Sequence, residues 1–133
     1  MLLVSGILLY WAEGTKSLKY RKIEFTNTDP KIIKIIMKFF RRLLKAPEDK
    51  FRIMVRIGTK GNVARAENYW LKTARLLRGN LQSPEILKLK PNSRSLKKYP
   101  RGMCRICIYD ISLFRKMIAL IRGYSRKFEK LPL

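Results

Sequence analysis

One acidic side chain stands out among the residues that could carry chemistry. Glu13 directly follows the apolar run GILLYWA and directly precedes Gly14, in a chain with nine acids against 31 lysines and arginines. At the end of a helix the outward carbonyls disfavour a carboxylate by about 0.3 to 1 kcal/mol, so a positive partner is expected. Lys16 is one such partner. The other is a divalent cation held by the Glu13 carboxylate, a neighbouring carbonyl such as that of Gly14, and a phosphate.

Histidine is absent from the chain. Its absence removes the usual general base, the commonest metal ligand and every catalytic triad that needs imidazole. Any chemistry must therefore be carried by carboxylate, lysine or metal, and a metal-activated water is the nucleophile that this composition favours.

The two cysteines, Cys104 and Cys107, have C-x-x-C spacing but no histidine or second cysteine pair nearby. Two thiols alone do not close a tetrahedral zinc site. Their segment also has the pattern of a strand, in which positions three apart point to opposite faces. We therefore expect free thiols that are buried or half-buried, and the lack of a disulfide framework favours a cytoplasmic protein.

The formal charge of +22 accompanies 47% apolar residues, which indicates a folded basic protein with a core. Such an excess of positive charge favours a polyanionic partner, because cations near phosphates release condensed counterions. Nucleic acid is the first expected partner and an anionic membrane surface the second. The apolar N-terminal segment is too short to span a membrane, so a core or interface helix is predicted instead.

Hydrophobic periodicity predicts two helices and a strand in the first half of the chain. The first helix runs from about residue 2 to 13, is apolar nearly all round, and ends at Gly14. A strand follows, in which Ile23 and Phe25 face the core. The next helix begins at an Asp29 cap with Pro30 in its first turn.

The second half repeats this alternation of strand and helix. Residues 50–58 alternate as a strand, and residues 62–77 have the spacing of an amphipathic helix whose inward residues include Leu77. A basic, proline-punctuated connector leads to the strand MCRICIYD. The last helix is predicted to begin at an Asp110 cap and to end at Gly123.

This order of elements predicts a single α+β domain over residues 1–133, with one antiparallel sheet and helices on one face. Residues 59–101 are interpreted as a helical insertion followed by the basic connector. The exposed face of three strands carries cations that favour a surface for duplex DNA, although a merely solvated face remains open. The residues assigned to nucleic-acid binding on this face are Lys22, Glu24, Lys50, Arg52, Arg56 and Arg105.

The connector adds a second cluster of cations. Arg94, Lys97 and Lys98 lie close together in its sequence, in a run that extends to Arg101. Such a run is suited to following a phosphate backbone, and a solvated basic loop is the equal alternative.

The segment GILLYWAEG resembles the LAGLIDADG motif of homing endonucleases, with Glu13 and Gly14 in the last two motif positions. The order of elements, from this helix through IEFTNTDPKIIKIIMKFF to the final strand and helix, is similar to the same fold. The resemblance implies a LAGLIDADG-like saddle on double-stranded DNA and a homodimer packed through the N-terminal helix.

The same resemblance implies a site-specific endonuclease that hydrolyses phosphodiester bonds. Two Glu13 residues would hold Mg²⁺ (or Mn²⁺) against the two scissile phosphates. By position, the resemblance implies roles for Asn27, Lys31 and Lys127 around the metal centre, with Lys127 placed beyond the last helix. An intron or intein setting for the gene would support homing.

Two features depart from the family pattern. Ile7 and Leu8 stand where the family has small residues, with only Gly6 and Ala12 small nearby, and the first hairpin, TKSLKYRKIEF, is short. Two other functions therefore stay open. One is a non-catalytic DNA-binding regulator of the same fold, and the other is a small basic RNA-binding or ribosome-binding protein.

Overall fold

The computed structural model describes residues 1–58, 61–88 and 98–132. In that part of the chain, the helices and strands lie where the hydrophobic periodicities predict them. The elements are α1 (Leu2–Glu13), β1 (Ile23–Asn27), α2 (Pro30–Arg42), β2 (Phe51–Gly58), α3 (Val63–Ala74), β3 (Glu85–Leu87), β4 (Met103–Ile108) and α4 (Ile111–Glu129). Two short 3₁₀ turns lie in the described connections, Glu48–Lys50 directly before β2 and Arg78–Asn80 between α3 and β3.

Three helices begin at side-chain caps that the sequence contains. The Asp29 carboxylate accepts a hydrogen bond from the backbone N–H of Lys31 at the start of α2. Asn62 and Asp110 accept from backbone N–H groups in the first turns of α3 and α4. Each cap satisfies an N–H that has no partner within its own helix, which fixes where the helix starts.

The sheet has the strand order β1-β4-β2-β3. Strand β4 is antiparallel to both neighbours, with Ile108 opposite Ile23 of β1 and Phe51 of β2. The predicted α+β class is confirmed. The sheet is mixed, however, because β3 pairs parallel to β2 and places Glu85 opposite Arg56. The prediction of a wholly antiparallel sheet is therefore wrong at this edge.

The core lies between one face of the sheet and the helices. Alternate residues of β1, β2 and β4 are buried, including Phe25, Ile53 and Ile106. Helix α1 packs closely on α2, since a Cβ added at Gly6 would lie 2.2 Å from the Phe39 ring. The C-terminal end of α1 is joined to β1 by a single antiparallel bridge between Gly14 and Phe25.

Two predicted helix ends are wrong. Helix α3 ends at Ala74, because Arg75 adopts a left-handed conformation with φ of 53°, and Leu77 is 78% exposed instead of facing inward. Helix α4 continues through Gly123 to Glu129. Its apolar spacing continues past the glycine, because Tyr124 and Phe128 are both half-buried, with ring centres 6.1 Å apart, and Tyr124 packs against the core. Such packing offsets the roughly 1 kcal/mol cost of a helical glycine.

Within the described residues, no helix combines the length and apolar character that a membrane span requires.

Candidate nucleic-acid interface and metal site

The end of α1 is fixed to β1 through the hydroxyl of Tyr10. This hydroxyl donates a 2.5 Å hydrogen bond to the Thr15 carbonyl and accepts one of 3.2 Å from the Glu24 backbone N–H. Burial raises the pKa of Tyr10 to about 12, so the hydroxyl stays protonated. The residues that follow Tyr10 are therefore held at a fixed distance from the sheet.

Glu13 is exposed at this end of α1, and Asn27 positions its carboxylate. Asn27 Nδ2 donates to Glu13 Oε2 at 2.5 Å, while Asn27 Oδ1 accepts from the backbone N–H of Asp29 at 2.8 Å. Asn27 thus bridges the end of α1 and the start of α2. The structure brings together two of the four residues that the family resemblance placed at the catalytic centre.

Lys16 supplies the positive charge that the helix terminus requires. Its Nζ donates to the carbonyl oxygens of Trp11 and Gly14 at 2.7 and 2.8 Å. A cation next to the unpaired carbonyls at a helix C-terminus is electrostatically favourable. The Gly14 carbonyl, one of the two predicted metal ligands, therefore already has a partner. A cation bound there would have to displace the Lys16 ammonium.

The donor atoms at this position suit a hard divalent cation. A carboxylate from Glu13 and a carbonyl from Gly14 are oxygen ligands of the kind that Mg²⁺ prefers, with waters and substrate phosphates completing its shell. Across residues 1–58, 61–88 and 98–132, no three or more cysteine or acidic side chains cluster as a metal site.

The other two predicted catalytic residues are not joined to Glu13 by a polar contact in the described part of the chain. Lys31 is exposed in the first turn of α2. Lys127 lies within the last turn of α4, and not beyond the helix as predicted, with its ammonium 5.0 Å from the centre of the Tyr124 ring. In the part of the chain that the structure describes, no hydrogen bond or ion pair joins either lysine to Glu13.

The outer face of the sheet carries a row of ion pairs. Arg105, on the central strand β4, lies between two acids, with its Nε 3.1 Å from Glu24 Oε1 and its Nη2 3.8 Å from Glu85 Oε2. Arg56 Nε approaches the other Glu85 oxygen at 3.3 Å, and Lys22 Nζ lies 3.9 Å from Glu24. Three of the predicted DNA-contacting cations, Lys22, Arg56 and Arg105, thus pair with Glu24 or Glu85, and Glu24 acts in this row as a counter-charge.

These contacts are electrostatic and not well-aligned hydrogen bonds. The Nε atoms of Arg56 and Arg105 are both buried and have no hydrogen-bond partner among the described residues, although carboxylate oxygens are 3.1 to 3.3 Å away. Their guanidinium groups are therefore close to the acids without being fully bonded to them. A phosphate that reached this face would compete with Glu24 and Glu85 for the same two arginines.

The remaining cations predicted for this face have other partners. The Arg52 guanidinium donates to the backbone carbonyls of Asp49 and Phe51, both at 2.7 Å. Lys50 donates to the Asp110 carboxylate at 2.9 Å. This hydrogen bond raises the pKa of Lys50 and lowers that of Asp110, whose carboxylate also accepts from the Leu113 backbone N–H. Lys50 therefore supports the start of α4.

Glu85 was not identified from the sequence. It lies directly after Pro84 in the basic connector, and the three-residue strand that contains it shows no clear alternation. Only the parallel pairing of β3 with β2 places its carboxylate next to Arg56. That pairing joins distant parts of the chain, and no local pattern indicates it.

The two cysteines are free and buried, as predicted. They lie on opposite faces of β4, and burial raises the pKa of the Cys107 thiol to about 11 and also raises that of Cys104. Neither thiol is suited to act as a nucleophile.

The connector cations are only partly described. Arg94 and Lys97 lie outside the described residues, and Lys98 is exposed with its ammonium 5.5 Å from the Tyr99 ring centre. Arg101 is better positioned, because its guanidinium lies 4.2 Å from the centre of the Tyr69 ring and its carbonyl accepts from Trp70 Nε1 at 2.8 Å.

Comparisons of the chain with protein-family models, with curated proteins and with solved structures give no match.

Proposed function

We propose that this chain forms a homodimer that binds double-stranded DNA and cleaves it with a divalent metal. One observation carries the proposal. Helix α1 has an exposed apolar side, and at the end of the same helix Asn27 holds the exposed Glu13 carboxylate. Helix α1 thus carries both a surface suited to packing against a second copy of the chain and a carboxylate suited to binding a metal.

The exposed side of α1 is defined here as the α1 outer stripe, formed by Val4, Leu8, Trp11 and Ala12. Leu8 is 43% exposed and Trp11 38% exposed, while Val4 is half-buried. Gly6 lies on the other side of the helix against Phe39, so it does not serve this contact. Packing two outer stripes together would remove apolar surface from water and bring two Glu13 carboxylates toward one axis.

The residues around Glu13 support hydrolysis of a phosphodiester. Asn27 orients the carboxylate, and the Lys16 ammonium, once a metal displaces it from the Gly14 carbonyl, would be free to meet an incoming phosphate. Bound Mg²⁺ or Mn²⁺, held by Glu13 and the Gly14 carbonyl with phosphate oxygens, would lower the pKa of water and stabilise the charge that develops on the phosphate. Each copy of the chain would contribute one Glu13, so the dimer would hold one metal ion at the scissile phosphate of each DNA strand.

The charge of the molecule supports DNA as the substrate. The net charge is +22, and Arg52 on the sheet face has backbone carbonyls, not acids, as its partners. Arg105 and Arg56 are within reach of the same surface if phosphates replace their acidic partners. A basic sheet face, doubled by a two-fold axis, would fit a long and roughly palindromic site.

The cleavage test compares Glu13→Gln with Glu129→Gln on a randomised duplex library, in Mg²⁺ and in Mn²⁺. Both variants lose one negative charge, and Glu129 lies at the exposed end of α4. We expect Glu13→Gln to bind DNA without cutting it, while Glu129→Gln cuts as the wild type does. Equal cleavage by both variants would exclude Glu13 as the metal ligand.

The dimer is tested with Leu8→Glu and the control Leu77→Glu. Both leucines are exposed, at 43% and 78%, but only Leu8 belongs to the α1 outer stripe. Analytical ultracentrifugation is expected to show a monomer for Leu8→Glu and a dimer for Leu77→Glu. A wild-type chain that sediments as a monomer at high concentration, with and without DNA, would contradict the proposed assembly.

A DNA-binding regulator without nuclease activity is the second candidate. It is favoured by Lys16 Nζ, which already occupies the Gly14 carbonyl, and by the acids that pair with the arginines of the sheet face. Specific binding with no scission in any divalent metal would select it. Preference for structured RNA over duplex DNA in a salt-matched competition would instead select the RNA-binding or ribosome-binding alternative.

A further inference from the structure

A groove of about 720 Å³ lies between α2 and α3, on the helical layer and away from the outer face of the sheet. Cations dominate its walls, and no acid lines it among residues 1–58, 61–88 and 98–132. Four of these cations come from α2, one from α3 and one from the residue directly after α3; they are Lys34, Lys38, Arg41, Arg42, Lys72 and Arg75. We define this feature as the α2–α3 groove.

Most of these cations have no acidic partner in the described part of the chain. Arg41 does form an ion pair, with its Nε 2.6 Å from Glu48, and its Nη2 donates to the Arg75 carbonyl at 2.8 Å. Arg41 therefore holds the end of α2 to the segment after α3. No other groove cation forms an ion pair within the residues that the structure describes. The groove is thus less neutralised than the sheet face, where Glu24 and Glu85 pair with arginines.

The cations on α2 form a regular row. Lys34, Lys38 and Arg42 are spaced by four residues, and all three are exposed. At 1.5 Å per residue this row extends for about 12 Å, which matches three to four phosphates at about 3.4 Å of axial rise per nucleotide. A row of this length fits a linear polyanion better than a single small anion.

The α3 side of the groove extends the positive surface. Tyr69 lines the groove, and the Arg101 guanidinium lies over its ring at 4.2 Å. Trp70 Nε1 holds the Arg101 carbonyl, so this arginine is tied to α3 although it belongs to the segment before β4. The concave shape favours a strand-like ligand, since a flat membrane surface would not reach the cations on both walls.

We propose that the α2–α3 groove binds the phosphodiester backbone of a nucleic acid, at a site separate from the outer face of the sheet. Cations on both walls concentrate a positive electrostatic potential along the groove. When these cations neutralise phosphates, counterions condensed on the nucleic acid are released. This site does not depend on Glu13, on metal or on dimerisation. A molecule with both sites holds nucleic acid on its sheet side and on its helical side.

The test compares two triple variants of equal charge. The groove variant carries Lys34→Gln, Lys38→Gln and Arg42→Gln, and leaves Arg41 in place because of its structural contacts. The control carries Arg115→Gln, Lys116→Gln and Arg122→Gln, three exposed positions on α4. Thermal unfolding first establishes that both variants are folded.

Binding is measured by fluorescence anisotropy with a short labelled single-stranded DNA and its duplex, in EDTA and over a range of salt concentrations. For the groove variant we expect affinity for the single strand roughly tenfold or more below wild type at low salt, and a salt slope smaller by about 2. The control variant is expected to lose much less affinity for the single strand. Equal losses in both variants would overturn the proposal, since they would show only an effect of net charge.

Two further arms test the class of ligand and the location of the site. Polyglutamate of matched charge is expected to compete weakly, and equal competition would overturn the assignment to nucleic acid. Addition of single-stranded DNA is expected to shift NMR amide signals of α2 and α3 in the Glu13→Gln background. Shifts confined to the sheet strands would also overturn it. Because no cleavage is measured, a failure of the proposed nuclease activity does not affect these results.

Discussion

Tyr10 connects the apolar core to the end of α1 through one buried hydroxyl. In Tyr10→Phe the Thr15 carbonyl and the Glu24 N–H lose this partner. We expect the free energy of unfolding to fall by about 1 to 3 kcal/mol, the usual cost of leaving buried polar groups unpaired. Urea unfolding measures it, with Tyr20→Phe as a control because Tyr20 is 64% exposed. Equal stability of the two variants would mean that the hydroxyl does not hold α1 to β1.

Asp110 gives the fold a predictable response to acid. Its hydrogen bonds with Lys50 and the Leu113 N–H lower its pKa below the ordinary value of 3.8. A carboxyl with a lowered folded pKa stabilises the protein above pH 3.8, and this stabilisation is lost as the pH falls toward the folded pKa. Asp110→Asn keeps the helix cap but removes the charge, so we expect a flatter loss of stability in acid.

Urea unfolding at several acidic pH values measures this difference. Lys50→Gln is the informative companion, because it removes the larger cause of the pKa shift and leaves the Leu113 N–H in place. Lys50→Gln should therefore flatten the pH dependence of the free energy of unfolding, but less than Asp110→Asn does. A wild-type pH profile for Asp110→Asn would show that this carboxyl does not contribute to acid unfolding.

The packing of α1 on α2 depends on the absence of a side chain at Gly6. A Cβ there would lie 2.2 Å from the Phe39 ring, so Gly6→Ala forces α1 and α2 apart. We expect a loss of about 1 to 3 kcal/mol, as for other overpacked cores. Gly123→Ala is the matched control, since nothing lies within 4 Å of its added Cβ, and it should stabilise α4 by about 0.5 to 1 kcal/mol. The midpoint of thermal unfolding should fall for Gly6→Ala and rise for Gly123→Ala.

The helices and strands show which structural information is local. Caps at Asp29 and Asp110 and the alternation in β2 are encoded within a few residues, and the elements they predict are present. Helix α4 continued through Gly123 because later apolar residues extend its packed face. The parallel pairing of β3 depends on contacts between distant segments, so the sequence alone did not reveal it.

The candidate site follows the same division. Glu13 at the end of an apolar helix is visible in the sequence, and the family resemblance placed Asn27 near it. The hydrogen bond between them is consistent with that placement. Lys16 was predicted as a positive partner for the end of α1, but its hydrogen bond to the Gly14 carbonyl was not predicted. The cationic α2–α3 groove was not predicted, because α2 shows its lysines as an ordinary solvated face until α3 is placed next to it.

The distribution of the few acids controls how the whole molecule presents its charge. Nine acids oppose 31 cations, and two of the nine, Glu24 and Glu85, lie next to arginines of the sheet face. The α2–α3 groove has no lining acid among the residues that the structure describes. The two sides of the molecule therefore differ in how readily their cations are available to a polyanion, although the net charge alone does not show this.

Removing the two acids of the sheet face tests this view of the whole charge distribution. Glu24→Gln with Glu85→Gln leaves Arg105 and Arg56 free to contact phosphates. We expect tighter duplex binding and a salt slope steeper by up to about 2, since each phosphate neutralised adds about 0.9 to the slope. The control, Glu67→Gln with Glu129→Gln, adds the same charge on α3 and α4. Equal gains in both variants would indicate that duplex DNA responds only to net charge and that the sheet face is not its binding surface.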